Sequence, residues 1–296
     1  MKQAVFVVDV PGWSLDEFAQ RVSRHLSLST QIHYLYPSIA AISTRDPDLR
    51  LPPAKAYYCT SWWFMWLLVQ SGKLGRSSAY LIDVVDDYSW KSPKFGAAKE
   101  RADVVLTQSL PYLHSDPTAV FHPFPASPTT FSAPRTVRRN RNRLKVGMVA
   151  NGSAHSGEDH KGVALARQVI QTLPWCDLEV AGTDRMYTQQ QMPAWYQTLD
   201  IFLCLSKSEG FSSVIVDAIT SGLPIVGTPV APLVPFLRSR YTPVTRDAAT
   251  LRAVLTRSFN LLKGGKTLPT AFDAVLAWSE DQVAKTLEPL IRGAMK

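Results

Sequence analysis

Two acids, Glu209 and Asp217, stand eight positions apart in Ser208-Glu209-Gly210-Phe211-Ser212-Ser213-Val214-Ile215-Val216-Asp217-Ala218-Ile219-Thr220-Ser221-Gly222-Leu223-Pro224-Ile225-Val226. The apolar run Ile201–Leu205 before them predicts a buried strand that ends in a polar loop. Ser212 or Ser213 is placed to cap a short helix, Gly222 to stop it, and Pro224 to lead into the next strand. Such an order sets a helix N-terminus, with its free N–H groups, at the carboxyl end of a parallel strand. Anions, phosphates above all, favour that position, because dipole and donors both face them. Glu209 falls in the loop, and Asp217 lies further along the helix where it can face the same crevice.

Other residues with chemical potential are scattered. Lys161-Gly162 opens a helical pattern. Asp86-Asp87-Tyr88-Ser89-Trp90 follows a strand end. Val10-Pro11-Gly12-Trp13 is a glycine turn. Trp62, Trp63 and Trp66 read mainly as core, with an acceptor wall as the alternative. From Arg135 to Lys145 there are six cations and no acid, either a solvated linker or a polyanion contact. His155 and His160 flank Glu158 and Asp159 without clean ligand spacing, and Asp46-Pro47-Asp48 sits in a Pro-rich loop, so no metal site is expected.

The elements that must carry these residues are legible from periodicity. Short apolar strands alternate with amphipathic helices along the whole chain, the pattern of parallel βα units. Strands are expected at Ala4–Asp9, Ala56–Cys59, Ala79–Asp83 and Val104–Leu106, then at Leu144–Val149, Leu178–Ala181, Ile201–Leu205 and Ile225–Gly227. Ser14-Leu15-Asp16-Glu17 reads as a capping box opening a helix whose Leu15, Phe18, Ala19, Val22 and Leu26 share a face. Prolines 123, 125, 128 and 134 break the pattern. The expected domains are therefore 1–134 and 144–278, joined by a basic linker at 135–143, with a last helix at 279–296 that a family resemblance taken up below returns to the first. No internal repeat is visible.

With 296 residues, 46% apolar and 19% charged, two cores are affordable and global disorder is excluded. No apolar run approaches the roughly 20 residues of a membrane span. The N-terminus reads as a strand, not as a signal peptide, and Cys59, Cys176 and Cys204 are scattered. Both features point to a cytoplasmic protein with reduced thiols (host cytoplasm if viral). The net charge of +8 favours anionic partners without naming one.

The Glu209 to Ile225 segment closely resembles the retaining glycosyltransferases of family 4, matching their motif at Glu209, Gly210, Phe211, Ala218, Gly222, Pro224 and Ile225. It departs at Asp217, where the family usually has Glu. Trp195 to Leu203, Val146 to Val149, Lys161-Gly162, Leu178 to Gly182 and Trp278-Ser279 are similar to other landmarks of that family. The resemblance covers most of 144–296 and implies an α/β GT-B fold, with two Rossmann-like parallel-sheet domains facing across a cleft. It implies a sugar nucleotide as co-substrate, with no other cofactor and no metal. Glu209 would hold sugar hydroxyls and Asp217 the ribose. Lys161 and the amides from Gly210 to Ser212 would hold the diphosphate, with Ser208, Gly182 and the Gly12 turn beside the donor. Asn151 stands where the family normally has an Arg. The histidine common after the acceptor-side strand is absent, which leaves Asp86 or Asp87 as catalytic candidates. Trp13, Trp62, Tyr88, Arg138, Arg139 and Arg141 are the acceptor-side candidates.

On this reading the chain moves a sugar, with retention, from a nucleotide-diphosphate sugar to a hydroxyl. The preferred acceptor is a hydroxymethylated base in duplex DNA, bound through the basic linker; a lipid-linked or polysaccharide precursor at a membrane surface is the alternative. A non-catalytic sugar-nucleotide or glycan-binding module is a second class, motivated by Asp217 and Asn151. An epimerase or phosphorylase of the same fold is a third. No obligate protein partner is evident.

Overall fold

The computed structural model describes residues 2–38, 47–75, 77–86, 89–131, 142–150, 159–234, 236–237 and 240–296. The chain forms two compact units, Met1–Pro125 with Trp278–Lys296, and Ala126–Ala277. Of the sequence-derived candidates, Asp87, Tyr88, Arg138, Arg139, Arg141 and Asn151 lie outside the described residues.

The first unit runs β1 (Lys2–Val8), α1 (Ser14–Ser23), β2 (Thr30–Tyr34), β3 (Ala54–Cys59), α2 (Trp62–Ser71), β4 (Ala79–Val84), α3 (Pro93–Lys99), β5 (Val104–Thr107), α4 (Leu110–Ser115) and β6 (Val120–Phe121). Its six strands are all parallel in the order β2-β1-β3-β4-β5-β6. Central β1 is apolar from Ala4 onward and β4 is buried throughout because helices cover both of their faces. The capping box does not form as expected. Trp13 is the N-cap of α1 and makes no side-chain cap bond. Asp16 instead accepts from the Gly12 N–H at 2.7 Å and from the Tyr34 hydroxyl at 3.0 Å, so its carboxylate fixes the glycine turn. Arg21 is 3% exposed. It donates to the Pro125 carbonyl at 2.9 Å and lies over the Phe124 ring.

One polar knot is sealed inside this unit. His122 and Asp83 are fully buried, with Nε2 2.8 Å from Oδ2. The Tyr58 hydroxyl donates to the same oxygen at 3.0 Å, and Gln108 donates to it at 3.4 Å.

The second unit runs α5 (Pro128–Phe131), β7 (Leu144–Val149), α6 (Val163–Ile170), β8 (Cys176–Ala181), α7 (Met192–Gln197), β9 (Ile201–Cys204), α8 (Ser213–Thr220), β10 (Ile225–Gly227), β11 (Thr242–Pro243), α9 (Ala248–Lys263) and α10 (Phe272–Val275). Its parallel sheet has the order β11-β10-β9-β7-β8. The division between units falls at Pro125–Ala126, before the expected 134. The reason is local: α5 packs on α8, and Phe131 meets Tyr196 edge-on at 5.9 Å. The final helix, α11 (Glu280–Ala294), belongs to the first unit. It buries Val283, Ala284, Leu287 and Ile291 and packs on α1, with Glu280 3.2 Å from His25 and Glu288 accepting from the Ser27 N–H at 2.9 Å.

Among the described residues, no helix is long and apolar enough to cross a membrane.

Candidate functional site

In the second sheet β7 lies between β8 and β9, so the chain leaves β7 towards one side and leaves β9 towards the other. Where the strand order reverses, the loops at the carboxyl edge part and leave a crevice. The β7–α6 connection carries Lys161 there and the β9–α8 connection carries Glu209. Lys161 Nζ lies 2.5 Å from Glu209 Oε1, and Ser206 Oγ donates to the same oxygen at 2.6 Å. Both bonds thus converge on one carboxylate oxygen. The Lys161 side chain is 39% exposed and that of Glu209 15%, so the pair sits at the mouth of the crevice. A cavity of only about 10 Å³ at the pair is lined by Met148, Lys161, Cys204, Ser206, Glu209 and Val214, among others. Burial, and then the Glu209 carboxylate, push the Cys204 thiol above its usual pKa.

The two loops are tied by more than this ion pair. Lys207 N–H donates to the His160 carbonyl at 3.0 Å, and the His160 ring meets the Ser208 carbonyl at 3.1 Å. Arg246 donates to the carbonyls of His160 (2.7 Å), Asp159 (2.5 Å) and Leu205. Gly162 has φ +77°, and a Cβ there would lie 2.4 Å from the Leu205 Cβ. The turn after Lys161 therefore tolerates no side chain, which gives the Lys-Gly pair a steric reason.

Ser212 is the N-cap of α8 but makes no side-chain cap bond. Its side chain leaves the first-turn N–H groups to other acceptors. Gly210 lies in the loop just before, and Phe211 is buried against Phe236. Asp217, in the second turn of α8, is only 7% exposed and is more enclosed than an open crevice residue. Gly182 ends β8 with φ +86°, its N–H bonded to the Arg185 carbonyl at 2.8 Å.

The first unit has its own strand-order reversal, between β1 and β3. The Gly12 turn lies at that carboxyl edge, with Gly12 at φ +81° and Trp13 37% exposed. Asp9 ends β1, and burial lifts its carboxyl to about 6, with Asp16 adding to the rise and the Val10 N–H opposing it. Trp62, read mainly as core with an acceptor wall as the alternative, is 2% exposed and donates from its indole to Ser89 Oγ at 2.7 Å, as a core residue would. The exposed indole of α2 is Trp63, covered by Lys94 at 4.8 Å. Asp86 Oδ1 accepts from the Ser89 N–H at 2.5 Å.

The basic run is also changed by its neighbours. Arg143 pairs with Asp177, and Lys145 Nζ lies 2.6 Å from Glu179 Oε2. Two of the six cations therefore neutralise acids of β8. Ser206, His160 and Arg246 are members of the site neighbourhood that sequence reasoning missed. His160 and Arg246 carry no local signal, since each bonds a loop distant in sequence, whereas Ser206 bonds Glu209 three residues on in its own loop. Among the described residues, no group of three or more His, Cys, Asp or Glu side chains is arranged to hold a metal.

Solved structures share this architecture. Sucrose-phosphate synthase from Thermosynechococcus elongatus is 12% identical, with 99% of each chain covered and a TM-score of 0.71. HepE of Anabaena, in complex with UDP and glucose, is 11% identical, with 99% of this chain and 100% of that one covered and a TM-score of 0.74. The trehalose-6-phosphate synthase OtsA is 8% identical, with 98% and 99% covered and a TM-score of 0.68. At such identities the likeness establishes the fold, which is GT-B. Residues 136–244 match the family model described as Glycosyl transferases group 1. The match spans the Lys161 and Glu209 loops and covers less than half of the chain. No curated protein matches it by sequence.

Proposed function

We propose that the chain transfers a sugar from a nucleotide-diphosphate sugar to a hydroxyl acceptor, with retention at the anomeric carbon. The observation that carries this reading is the Lys161–Glu209 pair, 2.5 Å apart at the strand-order reversal beside the start of α8. Lys161 and the first-turn N–H groups of α8 take the charge of the diphosphate as it leaves. Glu209 offers Oε2 to sugar hydroxyls while Oε1 stays bonded to Lys161 and Ser206. Asp217 takes the ribose hydroxyls, and Gly182 and Ser208 border the donor. The acceptor oxygen forms its bond to the anomeric carbon as the bond to phosphate breaks, and its proton passes to the departing phosphate oxygen. Both events occur on one face, which makes a side-chain nucleophile unnecessary. Structures of HepE with UDP and with UDP-glucose support the choice of donor class.

For the acceptor, the reading follows charge: a hydroxymethylated base in duplex DNA, drawn by the net charge of +8 and by the four cations at 135, 138, 139 and 141. Incubation with a panel of nucleotide sugars, UDP-glucose first, tests donor and stereochemistry together. An α-linked product from an α-linked donor, seen by NMR, is expected; a β-linked product overturns retention. Binding without transfer across the panel favours the sugar-nucleotide-binding module. No gel shift of duplex DNA at low salt overturns the DNA acceptor and favours a lipid-linked one.

A further inference from the structure

Arg246 occupies an unusual position for a cation. It follows β11 and precedes Asp247, whose carboxylate caps α9 by accepting from the Thr250 N–H at 2.8 Å. Its backbone is thereby held from both sides. Its side chain, 23% exposed, points away from α9 into the base of the two donor-side loops. There Nη1 serves the carbonyls of His160 and Leu205, and Nη2 serves that of Asp159. The Asp159 carboxylate is 4.0 Å from the guanidinium and also accepts from the Leu165 N–H at 3.3 Å, at the start of α6. One planar fork thus joins the end of β9, the segment just before Lys161, and the start of α6. A guanidinium presents five donors in fixed directions, and a lysine ammonium cannot span three divergent carbonyls.

From this geometry we infer that Arg246 is a positioning residue for the donor phosphate, acting through Lys161. The His160 carbonyl that it binds is also the acceptor for the Lys207 N–H, so the fork fixes both loops at one atom. Gly162 allows the Lys161 turn to lie against Leu205, and Arg246 supplies the bonds that hold it there. Loss of the fork frees the 159–161 segment, and the Lys161 ammonium no longer waits at a set distance from Glu209. This inference rests on the proposed role of Lys161 and extends it to a residue outside the donor loops.

The test is UDP binding by calorimetry to the full chain, with Lys161→Met, Arg246→Met and the double variant. Lys161→Met is expected to weaken UDP by about tenfold, and Arg246→Met by a similar factor. In the Lys161→Met background the Arg246 change should cost less than about twofold, because its effect passes through the missing ammonium. Millimolar guanidinium should restore affinity to Arg246→Met and leave Lys161→Met unchanged. A full loss in the double variant, or no rescue, would mean a general structural role and overturns the inference. Unchanged affinity in Arg246→Met overturns it too, while leaving the proposed function intact. Unchanged affinity in Lys161→Met removes the proposed role of Lys161 and the inference with it. If Arg246→Met does not fold, Arg246→Lys serves, with an expected loss of about threefold and the same pattern in the double variant.

Discussion

Gly162 and Leu205 approach so closely that a Cβ on the glycine would lie 2.4 Å from the leucine Cβ and 2.9 Å from its carbonyl oxygen. The contact brings the turn after β7 down onto the end of β9 and sets the height at which Lys161 meets Glu209. Gly162→Ala must therefore bear both a positive φ and an overlap with backbone. It is expected to cost about 2 kcal/mol or more in urea denaturation. Gly72→Ala isolates the first effect, since Gly72 has φ +66° and nothing within 4 Å of a Cβ. It should cost about 1 kcal/mol. Equal costs for the two would show that the loop gives way.

Asp217 is nearly enclosed within α8, and its proposed partner is the donor ribose. Asp217→Ala is expected to raise the donor KM by about tenfold and to change kcat by less than about threefold, the pattern of an interaction made equally in ground and transition states. Steady-state kinetics with UDP-glucose measure the split. A fall in kcat alone would move Asp217 from binding to chemistry.

The Asp83–His122 pair has no contact with water. Removing the imidazole leaves a carboxylate buried with only the Tyr58 and Gln108 donors on its Oδ2. His122→Leu should destabilise the chain by about 3 kcal/mol, and adding Asp83→Leu should recover at least half of that. Denaturation of the two variants decides the point. A second change that adds further loss would show that the carboxylate stabilises without its partner.

Asp9 gives the stability a pH dependence of definite sign. Its folded-state pKa, about 6, lies above the ordinary 3.8 because burial disfavours the charged form. Its contribution is therefore fully present below about pH 4 and is lost as pH rises through about 6. Asp9→Asn removes that loss. It should stabilise the chain by up to about 3 kcal/mol at pH 7.5, and by nearly nothing at pH 4. Urea midpoints at the two pH values check this, and an equal gain at both would rule out ionisation as the cause.

The elements most clearly written in the sequence are the central strands. Leu144–Val149 and Ile225–Gly227 form as expected, and Ala4–Asp9 differs from β1 only at its ends. Strands enclosed on both faces must be apolar throughout, so the pattern is unmistakable. Three strands were not legible: β2, β6 and β11. Each lies at the edge of a sheet, and none of their residues is fully buried. An edge strand is half exposed, so its residues need not be apolar; Thr30-Gln31-Ile32-His33-Tyr34 looks like a loop until β1 pairs with it.

The sequence by itself determined the alternation of strands and helices, the helix start after Glu209, and the glycine after Lys161, because each is set by neighbours a few residues away. Tertiary structure alone decided which charges remain available. Arg21 is drawn into the core, Arg143 and Lys145 are neutralised by β8, and Arg246 reaches three carbonyls on distant loops. The physical reason is range. Backbone preference and amphipathic periodicity act within a turn or a strand, whereas desolvation and ion pairing depend on whatever the fold brings to the same few ångströms.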